Sequence, residues 1–447
     1  MIAGIVEDGT DNKANLRGKG RGQMQFIREV SEGGHYDLIV CGAGPGGVGA
    51  AIAAARMNKK VLLLDCAGCV GGYWTSGLMG TSLDMPGKGG LPLEIMNELM
   101  KRNKAQWVLH LGAYDSYTYD IEEMKLLLDS LCMEAGVDVL LYARVTAVKM
   151  ENGKIAAILV DGMVSHAFTA DYYVDGTGHG MLSKLAGCQY EIGHPTIKKQ
   201  QPGSLEAMTA GVPEELWHSD IHNYDVKQKL KKMLVDQGVS PSYTAPLLFK
   251  LSPGGVTHKL AVNHQYNVHA EDDFGMSRAT MEARQEINRA VNALRSYPGW
   301  ENFTLVQTAE QLGLRDGRRV HGLKTITAQD ALAGRYSEDG ITPVHFNLDV
   351  HKLDPNFNSA EQNWGKFQPY SVPMGCLIAK AVENLFMVGR CISGDFLALS
   401  SYRMTTTACA MGEAVAVAVC RLEKGMSAHE TDGASVHDEM IRRGYEL

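Results

Sequence analysis

Short apolar runs separated by glycine mark the first part of the chain. Tyr36-Asp37-Leu38-Ile39-Val40-Cys41 is one such run and Val61-Leu62-Leu63-Leu64-Asp65 is another. Neither alternates with polar residues, so each predicts a strand buried on both faces, as in a parallel sheet. Residues 48–57 between them are rich in alanine and predict a helix, which completes one βαβ unit. Residues 121–135 put Met124, Leu127, Leu128 and Leu131 on one face of an amphipathic helix, and a strand is expected at 137–142. Three β-runs follow over 144–174. They are divided by Asn152-Gly153 and Asp161-Gly162, both hairpin signals, and the last ends at Tyr172-Tyr173-Val174-Asp175. A short strand is expected over 24–34, behind a flexible tail at 1–23.

The pattern changes near residue 195. From there to about 300, Pro, His, Met and Trp become more frequent and helical periodicity is interrupted, except for a charged amphipathic helix at 281–294. A short buried strand returns at Leu385-Phe386-Met387-Val388, and a long helix of small residues is expected at 405–421. The last 20 residues are polar and read as surface, and no fixed-period repeat is present. The expected architecture is α/β: a doubly wound parallel sheet assembled from 24–194 and 301–447, with a mixed α+β cap from 195–300 joined by part of 80–120.

Composition narrows the partners. A chain of 447 residues has room for two or three domains at roughly 150 residues each. Its net charge of −8 argues against a nucleic-acid surface. The local basic arm Lys13, Arg17, Lys19, Arg21 lacks apolar periodicity and reads as tail, with a contact arm as the other reading. The nine Cys are scattered and mostly lie in apolar runs, which argues for a reducing compartment and against a disulfide framework. With no run of 18 apolar residues, no membrane span is expected. The first 30 residues lack the apolar stretch of a secretory signal, so a cytoplasmic location is the default. A homo-oligomer is left open.

Gly42-Ala43-Gly44-Pro45-Gly46-Gly47 follows the first strand and opens the first helix. In this G-x-G-x-x-G, Gly42 allows the tight turn, Gly44 lets backbone N–H groups approach a pyrophosphate, and Gly47 allows close helix–strand packing. Asp65 stands 18 residues after Gly47 at the end of the second strand, placed to accept hydrogen bonds from a ribose diol. Gly71-Gly72-Tyr73-Trp74-Thr75-Ser76-Gly77 would bring the chain close to the same ligand, or is a plain surface turn. Asp175-Gly176-Thr177-Gly178-His179-Gly180 ends the third β-run either with backbone crowded against the same dinucleotide or as a simple strand-to-helix turn. Val388-Gly389-Arg390-Cys391-Ile392-Ser393-Gly394 repeats the strand–glycine arrangement ahead of the long helix.

In this order the four elements resemble the glutathione-reductase-like superfamily of FAD proteins, and more closely the FAD-dependent oxidoreductase family. The close matches are 36–77, 171–188, 271–334 and 369–420, including Gly313-Leu314-Arg315-Asp316-Gly317-Arg318-Arg319 and Val372-Pro373-Met374-Gly375-Cys376-Leu377. The resemblance implies a Rossmann-like FAD domain. As FAD-binding residues it implies Gly42, Gly44, Pro45, Gly46, Gly47, Asp65, Cys66, Gly71, Gly72, Tyr73, Thr75, Val145, Gly176, Thr177, Gly178, Gly389, Arg390, Ser401, Arg403 and Met404. Relatives often carry small residues where this chain has Tyr73 and Trp74, which points to a reshaped wall near the flavin ring. The redox Cys pair of the disulfide reductases is absent from this stretch, and no second G-x-G-x-x-G lies between a strand and a helix.

Cys66 and Cys69 form a C-x-x-C without two further ligands nearby, so no metal is expected. Ordinary thiols are the plain reading, with a redox pair or a covalent flavin tether beside it. For catalysis the candidates are His264, Arg403, Tyr402 and Trp74. His264 lies in the polar strand-like run 262–269, and an imidazole suits the proton that accompanies hydride removal; a hydrogen-bonded structural histidine is the other reading. Arg403 would hold an anionic substrate group or the flavin, unless it makes an ordinary ion pair. The expected activity is hydride transfer between flavin N5 and a small-molecule alcohol, sugar-like polyol or amine. The alternatives are reduction of an activated C=C bond and an electron-carrying subunit.

Overall fold

The computed structural model describes residues 29–108, 116–217, 224–355 and 368–447. The tail at 1–23, its basic arm and the first residues of the strand expected at 24–34 lie outside them. Strand β1 (Ser31–Cys41) runs through Gly33-Gly34 without ending. The register to its neighbour shifts between Glu32 and Gly34, so a bulge absorbs the glycines and the two expected strands are one.

Helix α1 (Pro45–Arg56), β2 (Val61–Leu64), α2 (Ile121–Ala135) and β3 (Asp138–Leu140) follow. Asp120 caps α2 by accepting from the Glu122 and Glu123 amides, and Gly136 ends it in the left-handed region. Strands β4 (Arg144–Glu151), β5 (Lys154–Asp161) and β6 (Ser165–Asp175) form the expected meander. Asn152 and Gly153 both have positive φ (49° and 77°), as a tight hairpin turn demands. The core sheet runs β3-β2-β1-β6-β5-β4. β6 pairs with β5 through its first half and, through its last three residues, with a late strand described below. Leu38 to Cys41 are fully buried because β1 has a parallel neighbour on each edge.

A second sheet is antiparallel and comes from the middle of the chain: β7 (Ala207–Ala210), β8 (Leu247–Lys250) and β9 (Thr257–Ala261), then helix α3 (Asp273–Arg295) and β10 (Thr304–Thr308), in the order β8-β9-β7-β10. The boundary expected at 301 falls inside this sheet, since β10 pairs with β7. α3 starts earlier than the helix expected at 281, because Asp272 accepts from the Gly275 amide and fixes its first turn.

The chain returns to the core sheet as β11 (Leu385–Met387), parallel to β6, then enters α4 (Phe396–Tyr402) and α5 (Thr405–Arg421). α5 packs on α1 so closely that a Cβ on Gly412 would stand 2.0 Å from the Gly46 carbonyl oxygen and 2.5 Å from the Ala50 nitrogen. Both obstacles are helix backbone and cannot yield locally. Gly412→Ala is expected to force the two helices apart and cost about 1–3 kcal/mol, read as a lowered thermal midpoint; an unchanged midpoint would mean the pair can part without loss.

No helix among the described residues is long and apolar enough to cross a membrane.

Candidate active site

The ends of β1, β2, β6 and β11 bring four glycine-rich turns together at the carboxyl edge of the sheet, where open α/β sheets hold ligands. After Cys41 the chain turns through Gly42 (φ 102°), where a Cβ would meet the Gly176 carbonyl oxygen at 2.4 Å. A Cβ on Gly47 would stand 1.9 Å from the Gly42 oxygen. Gly44 differs, since the nearest atom its Cβ would meet is the Gly176 oxygen at 4.0 Å. Gly44 is the N-cap of α1 and Pro45 opens the first turn, which carries no side-chain cap and no acidic residue. Its leading N–H groups are therefore left for an anion.

Gly71 N donates to the Ala43 oxygen at 2.7 Å, and a Cβ on Gly72 would lie 2.8 Å from Gly44 Cα. Gly176 N donates to the Cys41 oxygen at 2.8 Å, and Thr177 N and Oγ1 both donate to Asp175. A Cβ on Gly178 would stand 2.6 Å from Arg390 Nη2, and Gly389 precedes that arginine at the end of β11. The Arg390 guanidinium, half-buried here, makes no hydrogen bond or ion pair among the described residues.

This set fits a dinucleotide. The uncapped α1 suits the pyrophosphate, Asp65 stands beside it at the end of β2, and Arg390 keeps its donors unspent. Asp65 is nonetheless engaged already, with Oδ2 accepting from Ala43 N at 2.6 Å and Oδ1 from Ala67 N at 2.8 Å. Each oxygen keeps one further lone pair for a ribose hydroxyl.

Several expected site residues have side chains that are engaged or buried in the protein itself. Trp74 is not a pocket wall: it is fully buried, with Nε1 donating to Ser82 Oγ at 3.1 Å. Its indole is the largest apolar body in the loop, and the core takes it while Tyr73 faces the cleft. Tyr402 is likewise fully buried, with its ring packed on Gly394. Thr75 Oγ1 donates to the Val70 oxygen at 2.6 Å and Ser401 Oγ to the Phe346 oxygen, so both hydroxyls brace backbone. Val145 is buried in β4 opposite Val160. Cys66 is exposed and, with Cys69, Tyr142 and Arg144, lines a surface cleft of about 650 Å³ beyond Asp65. Met404 is the N-cap of α5, which also lacks a side-chain cap.

Across the cradle, the second sheet contributes a polar cluster. Tyr73 OH donates to Glu206 Oε1 at 3.1 Å, and Lys259 Nζ lies 3.5 Å from Glu206 Oε2, with both charged side chains buried. Burial lowers the Lys259 ammonium against the pull of Glu206. Residues 262–269 are not the regular strand that their alternation suggests. Asn263 bonds the Leu205 backbone with its own amide (Oδ1 2.9 Å, Nδ2 2.7 Å), which replaces a ladder pair and ends β9. That ending frees His264 to stack on Tyr243, with ring centroids 4.4 Å apart, and to reach His351 (Nε2 to Nδ1, 3.2 Å). His351 Nε2 in turn meets Asp349 Oδ2 at 3.1 Å. Arg403 Nη2 donates to the Asp349 carbonyl oxygen at 2.8 Å and to Oδ2 at 3.2 Å.

Burial, with Arg315 and His351 nearby, holds the His264 imidazole far below its ordinary value. Burial and Arg315 bring His351 down to about 4 despite Asp349. Burial pushes the Asp349 carboxyl up, but His351 and Arg403 outweigh it and hold the group below the usual carboxylate range. At neutral pH the cluster is therefore an ionised aspartate joined to two neutral imidazoles. Burial brings Arg403 down to about 10, still fully charged.

Asp349, His351, Glu206, Lys259, Tyr243 and the role of Arg315 went unread in the sequence. The alternation of Asn347, Asp349 and His351 was the one available signal. Tyr243 sits in a loop and Glu206 beside a short strand, without any pattern.

Three histidines, His258 buried and His179 and His351 half-buried, also link the fold to pH. Burial brings His179 down to about 3, with Arg390 and Arg318 adding to it. His258 falls to about 4 by burial, as does His351. An unfolded histidine takes up its proton near about 6.5. Between that pH and about 4, the unfolded chain thus binds protons that the folded one refuses. Stability is present above this window and lost as pH falls through it, with each unit of depression worth about 1.4 kcal/mol. Urea midpoints measured from pH 7 down to 4 are expected to fall steadily; a flat profile would mean that these imidazoles titrate normally.

Residues 37–440 match the model of a family described as FAD dependent oxidoreductase. No curated protein matches the chain in sequence. Among solved structures, p-nitrophenol 4-monooxygenase from Pseudomonas putida is 10% identical over 93% of this chain and 85% of that one, with a TM-score of 0.51. A geranylgeranyl bacteriochlorophyll reductase-like protein from Thermoplasma acidophilum is 14% identical over 92% and 83%, with a TM-score of 0.46. At these identities, the likeness to the monooxygenase is one of fold alone.

Proposed function

The chain belongs to the FAD dependent oxidoreductase family, and from that premise we propose that it dehydrogenates a small organic molecule at a carbon bearing a hydroxyl or amino group. FAD, when bound, would supply the acceptor for the hydride of that carbon. The observation that carries the reading is His264, a neutral imidazole joined through His351 to an ionised Asp349 on the cap side of the cleft. Removing a hydride from a carbinol or amine carbon requires a base for the O–H or N–H proton, and a neutral histidine in a fixed orientation supplies one. Tyr73, Arg390 and the Arg403–Met404 turn would border the flavin end of the cofactor, while the turn at Gly44 and the first turn of α1 would take its pyrophosphate.

The test is anaerobic mixing of the FAD-loaded protein with alcohols, polyols, amines and hydroxy acids while the flavin band near about 450 nm is followed. Bleaching by one donor class supports the reading. If no donor bleaches it, and chemically reduced protein is reoxidised by an enoate, the reaction runs the other way, as reduction of an activated C=C bond.

A further inference from the structure

The cleft holds cationic groups that its own carboxylates do not neutralise. Lys259 is paired with Glu206 and Arg403 with Asp349, while Asp316 gives Oδ1 to Arg319 and the Gly317 amide and keeps Oδ2 without a partner. Arg315 makes hydrogen bonds from Nη1 alone, to the Pro202 oxygen and Ser204 Oγ, both at 2.8 Å, and has no ion pair among the described residues. The Arg403 side chain is only 5% exposed, yet its Nε, shut off from solvent, has no acceptor. A buried guanidinium N–H without a partner is costly, so it marks a place where an acceptor is expected.

Arg315 is linked to the backbone beside His264, and Arg403 to the His264 imidazole itself. Ser204 Oγ, which accepts from Arg315, donates to the carbonyl oxygen of Asn263, the residue before His264. On the other side His264 reaches Arg403 through His351 and Asp349. Arg390 is set apart by its place against Gly178 in the cofactor cradle. Guanidinium forks match planar two-oxygen anions.

We propose that this cleft takes a substrate bearing a carboxylate, held by Arg315 and Arg403 with the carbon to be oxidised turned towards His264, as in a small 2-hydroxy or 2-amino acid. This rests on the dehydrogenase reading above for the direction of the chemistry, but not for the binding itself.

The test titrates the FAD-loaded full chain with glycolate, lactate, 2-hydroxybutyrate and alanine, each beside its neutral amide, and follows the flavin absorption spectrum. At least one acid is expected to perturb the flavin, with its amide about 30-fold weaker or worse. Arg315→Gln is expected to weaken that acid about 10- to 100-fold at unchanged FAD content, and Arg403→Gln to weaken it as much in whatever fraction is FAD-loaded. Arg315→Gln keeps the test open if the buried Arg403 variant fails to fold. Amides that bind as well as acids, a panel in which no acid perturbs the flavin, or an Arg403→Gln protein that loses FAD while acid affinity holds would each overturn the proposal. Acids that bind without bleaching the flavin would leave the anion site standing and sink the dehydrogenase reading. Bleaching by a neutral alcohol with no acid binding would do the reverse.

Discussion

Gly47→Ala is expected to cost the protein both its FAD and several degrees of thermal stability, whereas Gly44→Ala is expected to cost it the FAD alone. The two glycines are three residues apart in one turn and differ in what a methyl group would meet. At Gly47 the new carbon would stand 1.9 Å from the Gly42 carbonyl oxygen and 3.2 Å from Val40 Cγ1. The Gly42 backbone cannot step aside, since its amide donates to the Leu64 oxygen at 2.8 Å and the turn is packed on Gly176. The helix must move instead, which costs about 1–3 kcal/mol and disturbs the N–H groups that face the pyrophosphate. At Gly44 the methyl would meet no atom nearer than 4.0 Å, so the fold tolerates it. That space is where a pyrophosphate on the helix terminus would lie, and a methyl there would weaken FAD by about 100-fold, the loss of two good hydrogen bonds. Flavin absorbance per protein and the thermal midpoint of FAD-stripped protein check the pair. A Gly44→Ala protein that keeps its flavin would place the phosphates elsewhere.

The cofactor half of the site was legible because it is made of backbone. Glycine spacing after an apolar run states that a chain must turn tightly and approach something, and Gly42, Gly47, Gly72 and Gly178 each meet a neighbour closer than a Cβ permits. The core-sheet strands and the helices packed on them followed from apolar periodicity, with α2 and α5 at the expected bounds, whereas the strands of the second sheet and the helices at 90–101 and 224–236 did not. Side-chain roles were harder to read. Trp74 and Tyr73 are adjacent and aromatic, yet one fills the core and the other faces Glu206, a choice made by packing against Ser82 and Gly313 rather than by residue type. Tyr402 beside Arg403 divides the same way. The substrate half depends on contacts between distant segments: His264 meets His351 across 87 positions and Tyr73 meets Glu206 across 133. No local pattern records such a meeting.

His264→Gln is expected to lower kcat by about 10²–10⁴-fold, the usual weight of a positioned general base, with FAD content unchanged. The argument turns on which nitrogen carries the lone pair. Asp349 is ionised and can only accept, so His351 Nε2 donates to it and His351 Nδ1 is left as an acceptor. His264 Nε2 then donates to that nitrogen, and the free lone pair falls on His264 Nδ1, the atom 3.5 Å from the Tyr266 hydroxyl. Asp349 and His351 are thus positioning residues, which fix the tautomer and stabilise the imidazolium once the substrate proton arrives. Because burial and Arg315 hold His264 far below the ordinary imidazole value, it stays neutral in mild acid. The acid limb of kcat/KM is therefore expected well below pH 6.5, the rough midpoint of a free imidazole. Asp349→Asn removes both the fixed tautomer and the negative charge that draws a proton onto His264. It is expected to lower kcat about 10- to 100-fold and to move the acid limb further down. A purely structural Asp349 would lower stability and leave the pH profile where it was. An acid limb near pH 6.5 in the unaltered protein would assign the proton to an exposed histidine and remove His264 from the reaction.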